Sequence, residues 1–233
     1  MTLISVVIPC YNEAQTIEMV VNQVLSVNIG LRKEIIVIDD CSTDKSPEIL
    51  AKLFSDGQID QLKLFSRNTG KGAALREGFK LAAGDIVIIQ DADLECDPNE
   101  YPKLLKPILE NAADVVYGSR FLHQSPRFVQ SYRRTAANKF LTGLSNILTD
   151  LTLTDMETCY KIFKSDILKR IELVEDRFGF EPEVTAKISR LGLRIAEVAI
   201  SYDPRTQEQG KKIGFKDGIR AIYVIFKYNL WAK

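Results

Sequence analysis

Two carboxylates, Asp91 and Asp93, stand two residues apart directly after the apolar run at 86–89. In an extended backbone, side chains at i and i+2 point the same way, so both can address one ion. Glu95 continues the series if the chain stays extended. Ligands made only of oxygen suit Mg²⁺ or Mn²⁺, which bind a few carboxylates and complete their shell with phosphate oxygens and water. Such an ion offsets charge developing on a departing diphosphate. Acidic pairs in turns are common, so the pattern gains its weight from its surroundings.

Four more polar clusters surround it, each following an apolar run: Tyr11-Asn12-Glu13, Asp39-Asp40-Cys41-Ser42, the stretch 68–72, and Gly118-Ser119-Arg120. The runs read as strands at 3–8 (stopped by Pro9), 34–38, 62–65, 86–89 and 114–117. Helical spacing of apolar residues predicts helices over 14–25, 46–54 and 73–82. Strands alternating with helices predict one α/β domain, a mostly parallel sheet covered on both faces. Ligands of such sheets bind beyond the carboxyl ends of the strands. Each cluster alone is ordinary turn chemistry; five on one rim converge on a site.

The totals narrow the class. The 233 residues suit a single large domain with a substantial core, and 45% hydrophobic content is ordinary. Thirty-one basic residues balance 31 acidic ones, so no global field points to nucleic acid. Locally, Arg120 to Lys139 holds five basic residues and no acidic one, and from Ser201 onward seven basic residues face three acidic ones. These stretches either bind anions together or form solvated faces. Cys10, Cys41, Cys96 and Cys159 form no CxxC pair, which argues against structural zinc. With no signal peptide visible, a reducing cytoplasmic setting is expected. No run of about 18 apolar residues suggests a membrane span.

Rival phosphate motifs fail. No GxGxxG follows the first strand, against a dinucleotide dehydrogenase. Gly70-Lys71-Gly72 lacks the Walker A spacing and reads as a tight loop presenting Lys71 near a nucleotide, or as a helix start. His123 is the only histidine, and a surface or structural role is expected for it.

The motifs Ile8-Pro9-Cys10-Tyr11-Asn12-Glu13, Val37-Ile38-Asp39-Asp40-Cys41-Ser42-Thr43-Asp44, Asn68-Thr69-Gly70-Lys71-Gly72 and Gln90-Asp91-Ala92-Asp93-Leu94-Glu95 resemble glycosyltransferase family 2. Within it, the chain is similar to the dolichyl- or polyprenyl-phosphate mannose or glucose synthases. Gly118-Ser119-Arg120, Tyr132-Arg133-Arg134, Thr154-Asp155-Met156-Glu157-Thr158-Cys159-Tyr160-Lys161 and Pro204-Arg205-Thr206 continue the match. The resemblance implies a Rossmann-like GT-A fold and inverting, Mg²⁺- or Mn²⁺-dependent transfer of a hexose from a UDP- or GDP-sugar to a polyprenyl phosphate.

By matched position it implies that Pro9, Tyr11, Glu13, Ile38 and Asp40 hold the nucleoside. Lys71, Asp91, Ala92, Arg120, Arg205 and Lys211 complete the nucleotide-sugar site. Asp91, Asp93 and Glu95 manage the metal, and Arg133 and Arg134 meet the acceptor phosphate. Asp93 and Asp155 are the catalytic candidates. Asp155 is the usual candidate base by resemblance, but a phosphate acceptor is already largely dianionic at neutral pH, so it is read here as orienting the acceptor or aiding the metal. Glu181 and Glu183 are further candidates for sugar hydroxyls. The expected division is a nucleotide-sugar half at 1–120, an acceptor half at 121–212 and an amphipathic helix at 213–233.

The main alternative is transfer to a saccharide hydroxyl in cell-surface glycan synthesis, for which Asp155 must act as a true base. A nucleotidyltransferase needs a glycine- and arginine-rich loop after its first strand, and 9–13 is no such loop. A non-catalytic nucleotide-sugar module is the remaining class. Many members of glycosyltransferase family 2 carry transmembrane helices after the catalytic domain, and none is expected in this sequence. In its tail, Phe215, Ile219, Ile222, Phe226 and Leu230 share one helical face, with Lys216, Arg220 and Lys227 elsewhere and Trp231 near the end. Such a helix either lies in a membrane interface or packs on the domain or on a second subunit, so peripheral membrane binding and a homo-oligomer both stay open.

Overall fold

The first strand, β1 (Leu3–Cys10), alternates its side chains between two cores: Ile4, Val6 and Ile8 enter one, Val7 the other. Both faces of the sheet must therefore be covered. The structure, a computed structural model, describes residues 2–122, 131–204 and 215–232. After β1 come α1 (Ile17–Ser26), β2 (Arg32–Asp39), α2 (Ser46–Ser55), β3 (Gln61–Leu64), α3 (Lys71–Leu81) and β4 (Ile86–Ile89). The second half holds α4 (Tyr101–Leu109), β5 (Val115–Ser119), α5 (Tyr132–Thr149), β6 (Lys161–Lys164), α6 (Ser165–Arg170), α7 (Phe180–Ser189), β7 (Ile195–Ala199) and α8 (Phe215–Phe226).

Seven strands form one sheet in the order β3-β2-β1-β4-β6-β5-β7. Only β6 runs antiparallel to its neighbours β4 and β5; the other pairings are parallel. Helices α1, α2 and α4 cover one face around Ile4, Val6 and Val37. Helices α3, α5, α7 and α8 cover the other around Val7, Ile36 and Val87. The chain order reverses direction at β1, between β2 and β4, so the loops after β1 and β4 flank the crevice that α/β sheets use for ligands.

Pro9 does not end the first strand, as expected from sequence; β1 continues to Cys10, with Pro9 opposite Ile38. The β4 side of the ladder stops at Val7 opposite Ile89, so the missing N–H of Pro9 leaves no ladder bond unmade. The glycines at 70 and 72 lie at a helix start, under the backbone of Glu175 to Arg177, where any Cβ would collide. Gly70 also takes φ +114°, a conformation that glycine adopts at little cost.

Of the alternatives for the tail helix, packing on the domain is observed. Ala221, Val224, Ile225 and Tyr228 are buried, while Ile219, Tyr223, Leu230 and Trp231 are exposed. The face expected from sequence is divided: Ile219 and Leu230 point outward, while Ile222 packs against the core and Phe226 is half-buried. Arg220 and Lys227, placed by the sequence off the apolar face, are held by the buried carboxylate of Glu175 at 2.7 and 3.0 Å. Phe215 and Lys216 side chains lie outside the described residues, as do His123, Arg205 and Lys211.

At the edge opposite the clusters, Asp114 ties β5 to its neighbours, accepting from Lys164 at 2.8 Å and from the Arg194 guanidinium at 2.8 and 3.0 Å. Hydrogen bonds from Arg194 and then Lys164 hold its carboxyl well below the usual range. A depressed carboxyl pKa contributes stability above the unfolded value of about 4, and that stability fades as pH falls through the folded value. Asp114→Asn is therefore expected to lower Tm at pH 7 by roughly 2–4 °C, with the gap from wild type closing below about pH 4. Thermal melts across that range check it; a gap that stays constant to low pH would remove the assignment.

Candidate active site

The rim is built by loops that bond to one another before any ligand arrives. After β1, the Asn12 N–H donates to Ser42 Oγ and the Glu13 N–H to Ser46 Oγ, at 2.8 and 2.9 Å. The Thr43 N–H returns a bond to Asn12 Oδ1 at 2.7 Å. Thr16 Oγ1 donates to the Ala92 carbonyl at 2.7 Å, joining the first loop to the acidic one. Asn12, Cys41 and Leu94 take positive φ angles of 51°, 61° and 24°. Non-glycine residues persist in that region only where surrounding contacts over-determine them, and here all three sit in loops after strands.

Asp40 works as a clasp. Its carboxylate accepts from the N–H groups of Thr69 and Gly70, each at 2.7 Å, and from Asn68 Nδ2 at 2.8 Å. Burial nonetheless pushes its pKa up. The clasp fixes the loop leading to Lys71. Lys71 Nζ then sits between Asp91, at 2.9 Å, and Glu181, at 3.3 Å. Burial works against its charge, but those two carboxylates more than compensate and raise its pKa. Lys71 thus neutralises part of the acidic cluster from below.

Asp91 and Asp93 follow β4 on one loop, both half-buried. Glu95 diverges: its Oε2 accepts from Tyr202 Oη at 2.8 Å. Among the described residues no group of three or more His, Cys, Asp or Glu side chains gathers to hold a metal. The expected trio is therefore not a cage. What the loop offers a hard cation is the oxygen pair Asp91 and Asp93, a set that fits Mg²⁺ or Mn²⁺ when phosphate oxygens and water supply the remaining ligands.

Across the rim, β5 ends at Ser119 and hands on Arg120. The Arg120 guanidinium grips Asp155 with both prongs, Nε to Oδ2 at 2.7 Å and Nη2 to Oδ1 at 2.8 Å, and its own N–H adds a third bond at 3.0 Å. Asp155 is fully buried. The guanidinium also lies 5.1 Å from the centre of the Tyr202 ring. Glu197, whose pKa burial raises, secures the loop by accepting from the N–H groups of Thr154 and Asp155. Asp155 is therefore a fixed wall, held by Arg120 through both carboxylate oxygens.

Several expectations move. Ile38 is fully enclosed in the core beside Val7 and Leu75, so its side chain does not reach the rim. Ala92 is buried, and only its carbonyl enters the hydrogen-bond network described above. Pro9 and Tyr11 are half-buried and Glu13 is buried. Arg133 and Arg134 lie in the first turn of α5, one exposed and the other half-buried. The four thiols are not independent: Cys96 and Cys159 are joined as a disulfide, 63 residues apart in sequence. Because β6 opposes β4, Cys159, two residues before β6, returns to the loop after β4.

The pattern reading passed over Glu157, Lys161, Glu197 and Tyr202. Lys161 is fully buried, donates to the Thr158 carbonyl at 2.5 Å and lies 4.9 Å from the centre of the Tyr117 ring. Glu157 and Lys161 stand inside the matched stretch 154–161, which was the available signal for them.

Solved structures define the class of fold. Glucosyl-3-phosphoglycerate synthase of Mycobacterium tuberculosis superposes with a TM-score of 0.74 over 98% of this chain and 81% of that one, at 25% identity. Its complex with Mn²⁺, UDP and glucosyl-3-phosphoglycerate gives 0.74 over 98% and 80%, at 23% identity. The chain has the GT-A fold. The family described as Glycosyl transferase family 2 matches residues 5–172, and the chain belongs to that family.

Among its curated relatives is the undecaprenyl-phosphate 4-deoxy-4-formamido-L-arabinose transferase of Edwardsiella ictaluri, 29% identical over 89% of this chain and 62% of that protein. The same-named transferase of Pectobacterium atrosepticum is 31% identical over 82% and 58%. The dolichol-phosphate mannosyltransferase of Pyrococcus furiosus is 26% identical over 97% and 64%. The chain spans about three fifths of the length of these relatives.

Because the Arg120–Asp155 pair is enclosed, removing one partner strands the other. Asp155→Ala is expected to cost roughly 3–5 kcal/mol in urea unfolding, and a paired Arg120→Met, Asp155→Leu replacement to recover most of it. A single variant as stable as wild type would show that the pair contributes nothing to the fold.

Proposed function

We propose that the chain transfers a hexose, with inversion, from a UDP- or GDP-sugar to a polyprenyl phosphate. The carrying observation is the commitment of Asp155: both carboxylate oxygens are bound by Arg120 and the residue is fully buried. Transfer to a sugar hydroxyl needs a base to accept its proton. A phosphate monoester, with a second pKa of about 6, presents an ionised oxygen at neutral pH. A locked central carboxylate suits the phosphate nucleophile. The names of the undecaprenyl- and dolichol-phosphate relatives support the same acceptor.

In the reaction, an oxygen of the acceptor phosphate attacks the anomeric carbon while the bond to the nucleoside diphosphate breaks. The departing diphosphate keeps that electron pair. Pro9, Tyr11, Glu13 and the 42–46 loop form the nucleoside wall, with Asp40 holding the loop that carries Lys71. Asp91 and Asp93 hold Mg²⁺ or Mn²⁺, which when bound offsets charge on the leaving group. Arg205 and Lys211 contact the donor phosphates. Arg133 and Arg134 meet the acceptor phosphate. Cations in the first turn of a helix oppose its dipole unless an anion lies beside them, which supports that role.

On this reading residues 1–120 serve the donor, 121–212 the acceptor, and 213–233 a membrane surface. No helix among the described residues is long and apolar enough to cross a membrane. The outward face of α8, with Ile219 and Tyr223, and Leu230 and Trp231 beyond it, is exposed and apolar, as interfacial helices are. Peripheral binding follows, with no nucleic acid involved.

A screen of UDP- and GDP-sugars with Mn²⁺ or Mg²⁺, with and without polyprenyl phosphate, is expected to give nucleotide release that depends on the lipid. Release without lipid would favour a saccharide acceptor. Asp93→Asn is expected to abolish transfer while its melting curve stays near wild type; wild-type turnover would remove the metal assignment. Ile219→Glu with Leu230→Glu is expected to abolish co-flotation with anionic liposomes. Equal flotation of both proteins would rule out α8 as the membrane face.

A further inference from the structure

Buried polar groups in folded proteins nearly always have hydrogen-bond partners. Behind the acidic loop, two carboxylate oxygens do not: Glu157 Oε1 and Glu181 Oε2 are enclosed and accept no hydrogen bond. Thr158 Oγ1, next to Glu157, is in the same state. Glu181 holds Lys71 through its other oxygen. Lys161 uses one N–H on the Thr158 carbonyl and forms no ion pair among the described residues.

These groups act on one another. Burial, and then repulsion from Glu181, pushes the Glu157 carboxyl up, while Lys161 and Arg120 pull it down. Glu157 as a whole is half-buried, so part of the residue reaches solvent. It stands between two fixed points, two residues after Asp155 and two before Cys159, which is bonded to Cys96 on the acidic loop. The charges of Glu181, which holds Lys71, and of Arg120 and Asp155 act on its carboxyl, so it stands near both the Asp155 wall and the bridge Asp91–Lys71–Glu181.

The chemistry of the missing partner follows from the charges. An anion is repelled by two carboxylates. A second cation is disfavoured by Lys71, Lys161 and Arg120 close by. A neutral group rich in hydroxyls suits the position, donating to Glu157, which is partly open where Glu181 and Lys161 are buried. We propose that Glu157 is a specificity-determining residue that accepts a hydroxyl of the transferred sugar. The proposal rests on the nucleotide-sugar reading given above and assigns the sugar end of that site.

Titration calorimetry with Mn²⁺ separates the two. Wild type, Glu157→Ala and Glu157→Gln are each titrated with UDP, GDP, UDP-glucose and GDP-mannose. Both variants are expected to keep the nucleoside diphosphate affinity of wild type. Glu157→Ala is expected to bind the nucleotide sugar roughly tenfold or more weakly, the scale of one hydrogen bond to a charged group. Among analogues of that sugar each lacking one hydroxyl, one should weaken binding to wild type but cause no further loss in Glu157→Ala.

Full retention of nucleotide-sugar affinity, or an equal loss for every analogue in both proteins, would overturn the proposal and assign the position to ordered water. A lowered Tm with parallel loss of nucleoside diphosphate affinity in both variants would also overturn it, marking a structural role. If wild type binds the diphosphates but neither sugar nucleotide, nor any other in the donor screen, the underlying reading fails and this inference falls with it.

Discussion

A buried ammonium between two carboxylates is what lets so much negative charge gather at one end of the sheet. Lys71 lies between Asp91 and Glu181, and its own position is set two steps back by the clasp of Asp40 on Thr69 and Gly70. Without that cation the acidic loop would face Glu181 and Glu157 across a poorly solvated space, where unpaired charges are costly. The glycines on either side of Lys71 serve the same end, since only they allow the backbone at 175–177 to cross so close. Electrostatics and steric fit thus converge on a single helix start.

Much of this could be read from the chain. The strands at 3–8, 34–38 and 86–89 were legible because each is a run of β-branched residues that ends in a polar turn, and burial on both faces is what such runs require. The clusters after them were legible for the same reason: polar residues held at strand ends have few places to go. The start of α3 was placed two residues late because glycines lower helix propensity, a local preference that the crossing segment overrides.

What was hidden is long-range. Nothing near Lys161 announces that its strand runs backwards, yet that reversal brings Cys159 to Cys96 and sets Glu157 near both the wall and the bridge. Asp155 looked like a free acid because its partner, Arg120, is 35 residues away. Asp40 and Ile38 sit in a motif that suggests ligand contact, but their side chains turn to a loop and to the core. Spacing identifies which residues share a rim; it does not say which of them are already occupied by one another.

The segment 175–177 joins parts of the molecule that otherwise have little to do with each other. Its Glu175 carboxylate anchors α8 through Arg220, Lys227 and Tyr228. Its backbone caps the start of α3, with the Asp176 carbonyl accepting from the Ala73 N–H at 3.0 Å and the Glu175 carbonyl from Arg76 at 2.6 Å. Arg177 reaches Asn68 on the loop that Asp40 clasps. A load applied to the outer helix is therefore delivered, through one short stretch of main chain, to the base of the lysine that steadies the acidic loop. The geometry is that of a lever with a very short arm.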